Sequence, residues 1–156
     1  AFRIRPDQKP DDSNKGSITM SMFKIFDTAA SGMSAQSQRL NLVASNMANV
    51  DAVSSSLDET YRARQPVFRA MLNQLNPDEP AVGVRLQGVV ESKAPLQMEY
   101  APDHPMANDD GYIFKPNVNM VEEMANMISA SRSYQSNVEV INAAKQLMSA
   151  TLRMGE

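Results

Sequence analysis

A chain of 156 residues suits one domain, and its formal charge of −3, with basic residues scattered singly, argues against nucleic acid as the main partner. The absence of cysteine excludes disulfides, thiolate catalysis and cysteine-based zinc sites. Five Phe, four Tyr and no Trp are few large rings for a dense core while twelve Met are many, so the composition leans toward extended helices.

No run approaches the roughly 18 consecutive apolar residues of a membrane span, so no membrane insertion is expected. No start has the order of a cleavable signal peptide. Any export is expected to use a route that does not read one.

Residues 1–19 hold four basic and three acidic residues, two prolines and little to bury, and are expected to be a disordered leader or tag. The first strong element is a helix over 21–50. Phe26, Met33, Leu40 and Met47 recur every seven residues, and Ala29, Gln36, Val43 and Val50 repeat three residues later. That is an a/d heptad seam. The helix ends in SNMANV, residues 45–50, unexpectedly rich in amides. Asparagine competes for backbone groups and is a poor helix former. Uncharged amides can instead enter a close helix contact without the cost of burying charge.

Across 52–118 helical periodicity vanishes and prolines punctuate the chain. Strand-like runs fall at 61–69, 82–90 and 96–100, and turn signals at 76–80 (NPDEP) and 108–111 (NDDG). This is a small β-rich segment. The second long helix covers 119–154, with Asn119 as N-cap, Glu122 and Glu123 in its first turn, and Gly155 as its stop. Met120, Met127, Tyr134, Ile141 and Met148 recur every seven residues, and Met124, Val138 and Leu152 flank them.

The expected fold class is therefore α+β: long N- and C-terminal helices pairing as a coiled coil, with a small β-rich middle. Residues 20–51 and 119–156 form one discontinuous domain and 52–118 an insert. Neither helix can bury its seam alone, so each must meet the other or other copies.

Candidate chemistry is thin. His104, the single histidine, stands near Asp103, Asp109 and Asp110. A transition metal would want a second imidazole or a thiolate, and calcium would want an EF-hand's spaced ligands, so no metal site is expected. There is no GxSxG elbow, GxxxxGK[ST] or GxGxxG. No cofactor and no catalytic residue are expected, and an enzyme is the poorest of the function classes.

At this point a resemblance enters. FKIFDTAASGMSAQSQRLNLVASNMANVDA at 23–52 resembles the N-terminal segment of bacterial flagellar rod and hook proteins, with an SNxAN motif at Ser45, Asn46, Ala48 and Asn49. GYIFKPNVNMVEEMANMISASRSYQSNVEVINAAKQLMSATLRMG at 111–155 is similar to the proximal rod branch of that family, through PNVN, VEEM and SRSYQSNVEV. The resemblance covers residues 20–156. It implies a structural subunit that stacks helically into the flagellar drive shaft. The terminal helices would form an inner coiled-coil layer, disordered until assembly. The implied partners are other copies, other rod proteins, the membrane ring with its adaptor, and the flagellar type III export apparatus. The implied place is the periplasm-spanning rod of the basal body.

Contacts between subunits are then expected at Phe26, Met33, Leu40, Asn46, Met47 and Asn49 of the first helix. On the second they are expected at Met120, Met127, Tyr134, Gln135, Asn137, Val138, Ile141 and Met148. Replacing Asn46 by Leu is expected to spare the monomer and impair assembly. The rival from another class is a stand-alone coiled-coil adaptor or chaperone of a secretion system, whose helices would already protect each other.

Overall fold

The structure, a computed structural model, describes residues 12–71 and 83–154. Its elements run α1 (Asp12–Ala48), β1 (Arg64–Met71), β2 (Gly83–Glu91), β3 (Gln97–Tyr100), β4 (Tyr112–Lys115) and α2 (Met120–Met154). The class is α+β, with two long helices and small antiparallel sheets, as expected. One difference appears at once: α1 begins at Asp12, so residues 12–19 extend the helix where a disordered leader was expected. Once a helix is nucleated, each further residue adds a backbone bond for little extra ordering. The expectations for residues 1–11, for the 76–80 turn and for Gly155 fall outside the described residues.

The termini of the helices follow their local chemistry. Asn119 Oδ1 accepts from the amides of Val121 (3.0 Å) and Glu122 (3.4 Å), which caps α2. At the other junction Asn49 Nδ2 donates to the Ser45 carbonyl at 2.8 Å, covering one of the acceptors that the end of α1 leaves free.

The helices lie antiparallel. Gly32 faces Asn137, Arg39 Nη2 donates to Asn126 Oδ1 at 2.7 Å, and Asn46 bonds Glu123 at 3.1 Å, so positions rise along α1 as they fall along α2. Their shared core is made of small side chains. Ala29, Ala35 and Val43 on α1 and Ala130 and Ala144 on α2 are at most 5% exposed. A Cβ at Gly32 would stand 2.9 Å from Asn137 Nδ2, so the Asn137 side-chain amide packs directly on the Gly32 backbone.

This corrects the expected seam. Ala29 and Val43 do turn inward, but the methionine lines are not the centre of the contact. Met33, Leu40, Met47, Met127 and Met148 are half-buried, while Met120, Met124 and Leu152 are 38%, 50% and 70% exposed. On α2 the most enclosed line is Glu123, Ala130, Asn137 and Ala144, and each of Met127, Tyr134, Ile141 and Met148 stands four residues beyond one of them. Small residues win the centre because close-packed interiors reward near approach.

Strands β1 and β2 form a two-stranded antiparallel ribbon, from Arg64↔Glu91 at its root to Met71↔Gly83, with a register shift between Val67 and Phe68. The ribbon lies along α1. Its far end docks where Ser31 Oγ accepts from Val84 N at 3.1 Å, and a Cβ at Gly83 would meet that oxygen at 2.5 Å. Only glycine permits this approach.

Strands β3 and β4 make a second hairpin, tied to the segment after α1 by reciprocal backbone bonds between Ser54 and Phe114. The NDDG turn is present. Asn108 Oδ1 accepts from Asp110 N and Tyr112 N, and Gly111 takes a φ of +80° before β4. Strand β4 itself was not foreseen, since four residues show too little alternation to be read alone.

Candidate functional site

Two features stand out: a polar junction at the C-terminal end of α1, and an apolar face along the helix pair. The junction is built on Asn46, 1% exposed. Its Oδ1 accepts from the Tyr61 hydroxyl and from Arg64 N, both at 2.9 Å. Its Nδ2 donates to Arg64 O at 2.9 Å and to Glu123 Oε1 at 3.1 Å. All four hydrogen-bonding positions of the amide are used. The amide thus pairs with both backbone groups of Arg64 as a neighbouring strand would, while reaching Glu123 on α2. One side chain joins α1, the root of the ribbon and α2.

The surroundings repeat the device. Asn117, in the PNVN stretch, accepts from Ala63 N at 2.8 Å and donates to Ala94 O at 2.9 Å and Ser92 O at 3.3 Å. It joins the entry to β1, the exit from β2 and the approach to α2. Ser45 Oγ lies 3.2 Å from the Tyr61 hydroxyl. The Arg64 guanidinium stands over the Tyr61 ring at 5.4 Å and faces Glu91 at 3.6 Å.

Glu123 is the strained member. It is 7% exposed, and its Oε2 is buried without a hydrogen-bond partner. Burial pushes its carboxyl above the ordinary 4.5, and the nearby Glu122 adds to the rise; the bond from Asn46 and the charge of Arg39 on α1 oppose it. From β1, the Arg64 guanidinium is engaged with Tyr61 and Glu91.

A group whose folded value lies above its unfolded value opposes folding once ionised. That cost is absent below the unfolded value and grows as pH rises toward the folded one. Glu123→Gln is therefore expected to gain stability relative to the natural chain between about pH 4 and about pH 7. Urea unfolding of both proteins at the two pH values checks it. A difference that does not change with pH would show that Glu123 carries no such cost.

The second feature follows from helix geometry. At about 100° per residue, Met33, Leu40 and Met47 lie about 160–180° around α1 from Ser31, where the ribbon docks. On α2, Met120, Met127, Tyr134 and Val138 lie about 80–120° from Asn126, whose bond to Arg39 marks the ribbon side. The two lines therefore border the helix contact on the same side, away from the ribbon. Together they make one apolar, partly open face, with Phe26 at its far end and Ile141 and Met148 closer to the contact.

The remaining expected residues separate. Gln135 is exposed, Asn49 serves the end of its own helix, and Asn137 packs against Gly32. Asn46 is enclosed by its own chain, so its bonds lie within the subunit where a contact between subunits was expected. The physical reason is that the ribbon root folds back over it. Sequence reasoning missed Tyr61, Asn117 and Glu123 as parts of the junction, although Asn117 and Glu123 sit in the singled-out PNVN and VEEM stretches.

Among the described residues no group of three or more His, Cys, Asp or Glu could hold a metal ion, and no helix is long and apolar enough to cross a membrane. His104 Nδ1 accepts from Met106 N at 3.1 Å, a local turn contact.

Comparison with known proteins meets these features. Residues 26–54 match the family described as "Flagella basal body rod protein", and residues 109–154 match "Flagellar basal body rod FlgEFG protein C-terminal". The chain is 45% identical over 137 residues to the "Flagellar basal-body rod protein FlgC" of Salmonella typhimurium, covering 88% of this chain and all of that one. The protein of the same name from Escherichia coli O157:H7 is 47% identical with the same coverage. That of Borreliella burgdorferi is 33% identical over 147 residues, covering 85% of this chain and 97% of that one.

Proposed function

The chain belongs to the flagellar basal-body rod protein FlgC family, a structural subunit of the rod serving flagellum-dependent motility, and from that premise we propose how it builds the rod. The subunit stacks helically with other copies and with other rod proteins to form the drive shaft. Residues 20–51 and 119–156 act as one discontinuous coiled-coil domain, and residues 52–118 pack outside it. The chain leaves the cytoplasm through the flagellar type III apparatus. It takes its place in the periplasm-spanning rod, whose base meets the membrane ring and its adaptor.

The observation that carries this reading is the apolar face opposite the ribbon. Phe26, Met33, Leu40 and Met47 line it on α1, and Met120, Met127, Tyr134 and Val138 on α2. A face this apolar, with flexible methionines along it, suits neighbours met in non-equivalent settings. Ile141 and Met148 extend it, while Asn49, Gln135 and Asn137 contribute at its margins.

The rival adaptor reading draws on the same structure, because the helices do pack against each other within one chain. It leaves the open face and the family membership without a role. The test is Leu40→Glu with Met127→Glu in a motile bacterium. Both positions are half-buried at the edge of the contact, so circular dichroism of the purified variant comes first. A folded variant that is missing from isolated basal bodies, with swimming abolished, is the expected result. Normal incorporation of the double variant would remove this face from the assembly.

A further inference from the structure

The ribbon carries a charge arrangement that no carboxylate among the described residues answers. Arg69 and Arg85 are directly opposite in the β1–β2 register, and both are exposed. Like charges directly across a strand pair repel and weaken it. Among the described residues neither guanidinium has a carboxylate partner; the ion pairs there are Arg64–Glu91 and Lys115–Glu99. On the same face as the two arginines, Met71, two residues beyond Arg69, is 39% exposed. The patch is thus basic with an apolar margin.

A complementary patch lies at the other end of the molecule. After α1 the chain makes a turn at residues 57–59, with Leu57 52% exposed and the carboxylates of Asp58 and Glu59 in solvent. Neither acid forms an ion pair with Arg62 or Arg64, which line the same hollow. The turn follows the C-terminal end of α1, whereas the arginine pair lies close to the Ser31 docking point. Ser31 and Ala48 are 17 residues apart on α1, about 25 Å along its axis, so the acids and the arginines of one chain do not meet.

Resting on the rod reading above, we propose that the Arg69–Arg85 pair receives the Leu57–Asp58–Glu59 turn of a second copy of this chain. Two carboxylates answer two guanidiniums, and Leu57 meets the exposed Met71 on the same face of the ribbon. The patches differ and lie at opposite ends, so the contact is heterologous. Such a contact repeats in one direction and builds an open assembly rather than a closed dimer.

The chain has no cysteine, which permits a clean crosslinking test. Glu59→Cys and Arg85→Cys are placed together in one chain and expressed as the sole copy in a motile bacterium, and isolated basal bodies are mildly oxidised. A disulfide-linked two-chain band is expected, at least about tenfold stronger than from either single variant. In parallel, Arg69→Glu with Arg85→Glu is expected to impair swimming, and adding Asp58→Arg with Glu59→Arg to restore it, because juxtaposed like charges are costly and the swap removes them. Subunits present in basal bodies without the extra band, together with undiminished swimming of the Arg69→Glu, Arg85→Glu chain, would overturn this contact and leave the rod reading standing. Absence of the natural chain from basal bodies would overturn both.

Discussion

Replacing Asn46 by Leu should lower the free energy of unfolding by about 3 kcal/mol or more, because it strands several buried polar groups at once. Leu is close to Asn in size, so a cavity is not the cause. Arg64 N and O, the Tyr61 hydroxyl and Glu123 Oε1 would each lose a partner in an enclosed place. A buried acceptor or donor left unmade costs far more than a hydrogen bond contributes on average. Asn49→Leu is the control. It removes one part-buried bond to the Ser45 carbonyl and is expected to cost about 0.5–1.5 kcal/mol. Urea unfolding of the two variants decides the matter. Equal losses would mean that the junction is not centred on Asn46. The structure thereby changes what was expected of this substitution. Its first effect falls on the fold of the monomer, and any effect on assembly comes after that.

The second large effect is expected at Ala130, which is 0% exposed in the helix contact. Ala130→Leu inserts three heavy atoms into a fully enclosed place between the helices, and overpacking of this kind costs about 1–3 kcal/mol. The helices must move apart near Arg39 and Asn126, whose 2.7 Å bond lies one turn away on α2. Leu147→Ala, at a position 61% exposed, should stay within about 0.5 kcal/mol of the natural chain. Thermal or urea melts of both variants distinguish a core built on small residues from one built on the larger apolar side chains. If Ala130→Leu were tolerated as well as Leu147→Ala, the close approach of the helices would be wrong.

These two positions show where sequence reasoning succeeds and where it stops. Period-seven spacing of Met, Leu and Phe made both helices and their apolar sides legible, because a helical period needs only the side chains of one segment. The cap at Asn119 was legible for the same reason: the amide and the groups it serves are two and three residues apart. The NDDG turn at 108–111 was readable from four residues, since asparagine and glycine there serve their own backbone.

Ala130 and Glu123 gave no such signal. An alanine reads as neutral anywhere on a helix, and a glutamate in a first turn reads as a dipole charge. Which of two neighbouring seven-residue lines becomes the centre of a contact depends on the partner helix and on how closely it approaches.

The sequence by itself therefore determined two long helices, a proline-broken β segment between them, the local turns and caps, and a resemblance strong enough to name a family. Each rests on short-range chemistry or on a pattern within one segment. Only the tertiary structure decided that small residues hold the helices together while the methionines border an open face. It also decided that Asn46 works inside the subunit, and that Arg69 stands opposite Arg85. These outcomes join residues far apart in the chain, such as Asn46 and Glu123, 77 positions apart, and Arg39 and Asn126, 87 apart. Such pairs meet only after the ribbon folds along α1 and α2 returns antiparallel beside it, so no reading of one segment contains them.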